Sequence, residues 1–175
     1  MKIKPVTIET LNLVNKIESS FIVDSKLNIK LAEGSFSYEI QPVKPYKKIY
    51  GYEDIDYSEF IDNHKKIVFL AFDKDELAGQ IIVAKNWNSF ARIEDIRIEQ
   101  KHRIKGIGSA LMKKAIEWAK LNNFPGMEVE TQNVNVKAST FYEKNGFVLG
   151  GVSLYAYKAG KEEKDEILLN WYMLF

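Results

Sequence analysis

Arg103-Ile104-Lys105-Gly106-Ile107-Gly108 follows an apolar-rich run, Ile93 to Ile98, and opens a run with helical spacing, Ser109 to Lys120. A strand that feeds a glycine loop at the start of a helix presents several backbone N–H groups to one anion. Gly106 and Gly108 carry no Cβ, so a phosphate can approach their backbone closely. Lys101, Arg103 and Lys105 add positive charge beside those donors. The chemistry expected is capture of a phosphorylated cofactor; the alternative is a basic turn that only caps a helix. Two other phosphate loops are excluded. A Walker A loop needs Gly-Lys followed by Ser or Thr, which is absent here. A dinucleotide fingerprint needs a third glycine where position 111 is Leu.

The elements that must hold this loop belong to one chain of 175 residues, expected to form a single domain over 1–175. Net charge is +1, from 25 basic and 24 acidic side chains, so nothing in the overall charge argues for nucleic acid or an anionic membrane. With no cysteine, disulfides, thiolate metal sites and a cysteine nucleophile are excluded. His64 and His102 are the only imidazoles, so no metal is expected. There is no apolar run of membrane-spanning length and no basic leader with an apolar core near Met1; the expected setting is the cytoplasm.

No repeat or linker divides the chain. Lys2 to Val6 reads as a short strand. Thr7 reads as an N-cap before a helix reaching Ser19, on the spacing of Ile8, Leu11, Val14 and Ile17. Leu27–Leu31 and Phe36–Val43 suggest strands around a Glu33-Gly34-Ser35 turn, with Pro42 and Pro45 ending the second. A short helix is expected over Tyr57–Asn63. Ile67–Phe72, Leu77–Ala84 and Ala91–Glu99 then read as an antiparallel meander, with Gly79 marking a bulge. After the loop, Ile107, Leu111, Ala115, Trp118 and Ala119 make one helical stripe. Met127–Thr131 is a strand, Val136–Lys144 a helix stopped at Asn145-Gly146, and Gly151–Tyr157 with Ile167–Leu174 a last strand pair. The fold class expected is α+β, with a mostly antiparallel sheet and one strand–helix–strand unit around the glycine loop. The apolar end Trp171–Phe175 is read either as core or as the contact of a homodimer.

A second informative run is Asn135-Val136-Lys137-Ala138-Ser139-Thr140-Phe141-Tyr142-Glu143-Lys144-Asn145-Gly146-Phe147. Together with the loop at 103–108, at this spacing and in this order of elements, it closely resembles the GNAT acyltransferases. The resemblance covers residues 67–157 well, and residues 1–60 poorly. It implies the GNAT fold, a mixed central sheet flanked by helices, with acetyl-CoA as co-substrate and 67–157 as its binding core. By the same resemblance, Arg103, Ile104, Lys105, Gly106, Ile107, Gly108 and Ser109 would hold the pyrophosphate. The backbone of Ile96, Arg97 and Ile98 would bind the pantetheine amides as an added strand would. Asn135, Ala138, Phe141, Tyr142 and Lys144 would line the cofactor arm and thioester. Asn86-Trp87-Asn88, Ile93–Ile96, Ile116–Lys120 and Glu130–Asn133 are similar to the streptothricin acetyltransferases. Those enzymes acetylate an amine on the β-lysine part of a cationic antibiotic, which gives resistance. Residues 1–60 would then help form the acceptor site.

Acylation of an amine needs the neutral nucleophile. A lysine-like amine has a pKa near ~10.4, so neutrality at pH 7 costs roughly 4–5 kcal/mol. Burial and a proton acceptor lower that cost. Glu94 is favoured as base or water-organiser, then Asp95, then Glu130; each could instead anchor substrate or make a structural hydrogen bond. Neighbouring residues of a regular strand face opposite ways, so Glu94 and Asp95 cannot share one cleft. A backbone N–H released from strand pairing near Ile96–Ile98 would stabilise the oxyanion. Tyr142, by resemblance, would protonate the leaving thiolate; its alternative is a core aromatic. Asn135 has helix N-capping as its alternative. Residues 53–62 hold five carboxylates, Asp54 and Asp56 among them, which either attract a cation or start a helix. Trp87, Tyr50, Tyr52 and Tyr57 offer aromatic faces for a cation or simple packing. His102 is expected at the surface or beside the phosphates. The other readings are acetylation of a protein N-terminus, lysine or polyamine, and a non-catalytic acyl-CoA-binding module.

Overall fold

The computed structural model describes residues 1–51, 55–160 and 164–175. Among these, the strands are β1 (Lys2–Pro5), β2 (Phe21–Ala32), β3 (Ser35–Lys48), β4 (Lys66–Asp73), β5 (Glu76–Lys85), β6 (Ala91–Ile98), β7 (Gly126–Gln132), β8 (Val148–Ser153) and β9 (Leu168–Leu174). The α-helices are α1 (Ile107–Leu121) and α2 (Val136–Lys144), and 3-10 turns cover Ile8–Leu13, Tyr57–Phe60 and Gln100–His102. The chain packs as two compact units. One holds Met1–Ser19, Tyr50–Met127 and Leu174–Phe175; the other holds Ser20–Ile49 and Glu128–Met173.

In the first unit β1, β4, β5 and β6 lie side by side in that order, every neighbouring pair antiparallel. The expected meander is therefore present. Alternation along β5 divides its two faces. Gly79 faces α1: a Cβ there would lie 3.0 Å from Leu111 and 2.9 Å from Ile98, so the helix seats where glycine leaves room. The stripe Ile107, Leu111, Ala115, Trp118 and Ala119 is buried as its spacing requires, joined by Met112. On the opposite face, Val68, Leu70 and Ile82 pack with Val6, Val14 and Phe60. Each large side chain buried in these layers contributes about 1.5–3 kcal/mol, more than the roughly 0.7 kcal/mol that separates ordinary residues in helix propensity.

The helix expected from Thr7 to Ser19 is instead a 3-10 turn, Ile8–Leu13, closed by Asn15 in the left-handed region at φ 62°. The reason is legible in the spacing. Ile8, Leu11, Val14 and Ile17 recur every three residues, the period of a 3-10 turn rather than 3.6. Ile8 is 76% exposed, while Val14 and Ile17 enter the core.

In the second unit β2 and β3 form a long antiparallel ribbon, and β7, β9 and β8 are neighbours in that order. Pro42 and Pro45 do not end β3. Val23 pairs Tyr46 and Ser25 pairs Pro42, so Pro45 falls in a bulge where the ladder is interrupted and a missing N–H costs least. The Glu33-Gly34 turn has φ of 51° and 76°, the positive values a tight hairpin needs. The strand expected at Gly151–Tyr157 is displaced to Val148–Ser153. Gly150 sits in a bulge against Tyr172, whose ring would lie 2.6 Å from any Cβ added there, so the glycine pair marks the strand's interior rather than its start. Trp171, 1% exposed, is core.

Candidate active site

The glycine loop is built by three backbone decisions in the first unit. Gln100–His102 turns the chain out of β6, and the Arg103 Nε–H then donates to the Ile98 carbonyl at 3.2 Å. Gly106 takes φ 78° and ψ 1°, a left-handed N-cap that glycine adopts without strain. It makes no side-chain cap, and the first intrahelical bond runs from the Ala110 N–H to the Gly106 carbonyl at 3.0 Å. The N–H groups of Ile107, Gly108 and Ser109 therefore precede the ladder at the positive end of a 15-residue helix. A Cβ at Gly106 would meet nothing within 4 Å, so the backbone there faces open space. Arg103, Ile104, Lys105 and Ser109 are exposed and Ile107 is anchored in the core. Open donors, a helix N-terminus and the exposed cations Arg103 and Lys105 fit a phosphate group.

On β6, the carboxylates differ sharply. Ile82 pairs Asp95 but Val83 pairs Ile93, so Glu94 is the extra residue of a bulge. The parity argument for a regular strand does not apply there. Ile96, Arg97 and Ile98 stay in register with β5, and the break in the β5–β6 pairing lies at Glu94. Glu94 is exposed, its Oε2 3.6 Å from Arg92 Nε. Asp95 is enclosed: it accepts from Gln80 Nε2 at 2.6 Å and Arg97 Nε at 2.7 Å. Burial pushes the Asp95 carboxyl above the usual range, against the opposing pull of Arg97 and Gln80. Gln80, 0% exposed, joins this pair to the chain start. Its Oε1 accepts from the Asn15 N–H at 2.9 Å and its Nε2 also donates to Asn15 Oδ1 at 3.0 Å. Arg97 reaches the Ile17 carbonyl at 3.4 Å. Gln80 was not foreseen; its signal was one polar residue inside the apolar run Ala78–Ala84.

In the second unit, Asn135 caps α2 by accepting from the Ala138 N–H at 3.3 Å. The helix ends in a Schellman motif: the Phe147 N–H bonds the Tyr142 carbonyl at 3.1 Å and the Gly146 N–H bonds Glu143 at 2.9 Å, with Gly146 at φ 91°. That motif carries an apolar contact between the same two positions, and here it is Tyr142 against Phe147, centroids 5.7 Å apart. Phe141 packs on the other side of Tyr142 at 5.5 Å. Tyr142 is therefore held, 4% exposed, by the stop signal of its own helix. Ala138 and Phe141 are half-buried and Lys144 is exposed.

Glu130, half-buried, accepts from the Tyr157 hydroxyl at 2.6 Å, and Tyr157 accepts from Gln132 Nε2 at 2.9 Å. Burial first, then Glu130 and Glu166, raise the Tyr157 phenol far above its usual value, so it stays a donor. Lys48 and Glu166 form an ion pair with side chains only 10% and 8% exposed. Tyr157, Lys48 and Glu166 had no signal in the sequence.

Other expected residues lie elsewhere. Trp87 is 90% exposed at the β5–β6 reversal, beside a shallow depression of about 370 Å³ lined by Lys65, Lys66 and Lys85. Asp56 caps the Tyr57–Phe60 turn, accepting from the Ser58 N–H at 2.9 Å; hydrogen bonding from the Ser58 side chain first, and then from its backbone, lowers the Asp56 pKa. Asp54 and Tyr52 fall outside the described residues. His102 is not at the surface: it is 6% exposed, with Nδ1 3.2 Å from Asp73 Oδ2. Among the described residues no three His, Asp or Glu side chains converge as a metal site, and no helix is long and apolar enough to cross a membrane.

Residues 32–147 match the model of the acetyltransferase (GNAT) family. The chain is 38% identical to streptothricin acetyltransferase A of Bacillus subtilis, covering 92% of each. It is 35% identical to a streptothricin acetyltransferase of Escherichia coli, over 89% of this chain and 86% of the other. Its fold matches a crystal structure from Bacillus anthracis, provisionally described as a streptothricin acetyltransferase and solved with acetyl coenzyme A. The TM-score is 0.90 at 36% identity, over 99% of this chain and 97% of that one. This α+β chain, with its glycine loop at the head of α1, belongs to the acetyltransferase (GNAT) family.

Proposed function

We propose that this GNAT acetyltransferase moves the acetyl group of acetyl-CoA to an amine of streptothricin, on its β-lysine moiety, and so confers resistance to the antibiotic. The observation that carries the reading is the reach of the similarity. It extends over 92% of the chain to proteins that act on this drug, well beyond the cofactor-binding segment. The family match spans parts of both compact units, which supports 1–175 acting as one catalytic domain.

Acetyl-CoA supplies the activated thioester. The loop Arg103–Ser109 holds its pyrophosphate through backbone N–H groups and two cations. Ile96, Arg97 and Ile98 receive the pantetheine arm, together with Asn135, Ala138, Phe141 and Lys144. Glu94, exposed at its bulge, takes the proton from the acceptor ammonium directly or through water. Asp95, tied to Gln80 and Arg97, serves to position that strand. The neutral amine forms the new C–N bond as the C–S bond breaks, and Tyr142 gives its proton to the departing thiolate.

The test is CoA release from acetyl-CoA with streptothricin, read with a thiol reagent against a protein that has no cysteine of its own. Acceptor-dependent release, with the drug gaining one acetyl mass, is expected. Acetyl-CoA binding without release would overturn the acceptor assignment and leave family and cofactor in place.

A further inference from the structure

Lys48, at the end of β3, and Glu166, just before β9, are both about nine-tenths buried and paired with each other. A buried ion pair is an expensive way to hold a fold, because both ions leave water. Here the pair is also incomplete. Lys48 Nζ meets Glu166 Oε1, whereas Oε2 is buried and has no hydrogen-bond partner among the described residues. A carboxylate oxygen withdrawn from water without a donor is an unspent site for a cation.

The surroundings suit an ammonium. Glu166 acts on Tyr157, whose hydroxyl is already committed to Glu130 at 2.6 Å, and on Tyr46, half-way exposed on β3. Glu166 thus stands against the Lys48 ammonium and within electrostatic reach of two phenols, one of them bonded to a second carboxylate, Glu130. The Lys48 head group is chemically the same as the primary ammonium of a lysine-like acceptor.

We propose that Glu166, with Glu130 and Tyr157, is the pocket for a non-reacting ammonium of the acceptor, and that Lys48 is the resident cation which the acceptor relieves or displaces. The idea rests on the proposed acceptor, a molecule with more than one amine. It assigns specificity to Glu166, Tyr157 and Lys48 and leaves the acid–base steps with other residues.

The experiment compares wild type, Glu166→Gln, Tyr157→Phe and Lys48→Gln in the full chain, with acetyl-CoA and streptothricin. Loss of one charge-assisted hydrogen bond corresponds to roughly 10- to 100-fold in affinity. Glu166→Gln should raise the streptothricin KM by at least about tenfold, with acetyl-CoA affinity retained, and Tyr157→Phe should raise it less. Lys48→Gln should lower that KM, because it removes the competing cation. A pair that serves only the fold would make Glu166→Gln and Lys48→Gln shift KM in the same direction; that result, or an unchanged KM in Glu166→Gln, overturns the proposal. If wild type binds acetyl-CoA but does not acetylate streptothricin, the acceptor reading fails. The pocket is then judged by thermal protection with spermidine. Protection of wild type that is lost in Glu166→Gln supports it, and equal or absent protection overturns it.

Discussion

Gln80→Leu removes a side chain that makes three hydrogen bonds, to Asp95 and Asn15, in a fully buried place. The substitution roughly keeps volume, so the cost comes from hydrogen bonds rather than from a cavity. The bond to Asp95, 2.6 Å and charge-assisted, is worth about 1.5–3 kcal/mol, and the two to Asn15 about 0.5–1.5 each. Replacing a buried amide with leucine returns part of this, which leaves a net loss of about 2–5 kcal/mol. In a chain of this length that lowers Tm by roughly 10 °C, measurable by scanning calorimetry or circular dichroism. Gln80→Glu adds a second readout. The introduced carboxyl meets Asp95, and two carboxylates in contact cannot both ionise, so one keeps its proton in the folded state. A carboxyl whose folded pKa is raised favours the fold at low pH, and that contribution is lost as pH rises through the raised value. Between pH 7.5 and 5, Gln80→Glu should regain stability more steeply than Gln80→Leu. A loss under about 1 kcal/mol for Gln80→Leu, or parallel pH profiles for the two, would refute the network.

Tyr142→Phe keeps the ring contacts and removes the hydroxyl; turnover should fall about 10²-fold or more in a CoA-release assay while acetyl-CoA affinity by calorimetry changes little. Equal turnover would remove Tyr142 from the acid role. Gly106→Asp places a negative charge beside the phosphate site in a left-handed position, and should weaken acetyl-CoA binding at least about tenfold more than Gly106→Ala, which shares the backbone strain. Ile104 is β-branched at φ 65° and wholly exposed, so Ile104→Asn relieves strain without losing packing and should stabilise the chain by about 0.5–1 kcal/mol in urea titration.

What the sequence disclosed and what it hid follow from range of interaction. The α1 stripe, the α2 boundaries and the meander were legible because each is written in local periodicity or in a cap. Pro42 and Pro45 misled because a breaker residue has two meanings, and only a partner strand tells a bulge from an end. The loop at 103–108 was legible since glycine geometry and charge are local. Asp95 was visible, but its enclosure by Gln80 and Arg97, themselves bonded to Asn15 and Ile17, depends on residues up to 80 positions apart in sequence. Glu166 and Lys48 stand 118 positions apart, and neither carries a local mark of burial.

The three tryptophans are distributed in a way that makes the molecule optically self-reporting. Trp87 is 90% exposed and should emit at long wavelength and be readily quenched by acrylamide in both folded and unfolded chains. Trp118, 5.4 Å from Phe124, is shielded inside the first unit, and Trp171 is shielded inside the second, where its indole N–H donates to Thr131 Oγ1 at 3.0 Å. With Trp87 replaced by Phe, the two remaining indoles are blue-shifted and quencher-resistant. Replacing either one then leaves a single lamp in a known half of the chain. The sequence thus comes with a separate fluorescent label for each unit, and the melting of each can be followed without attaching a dye.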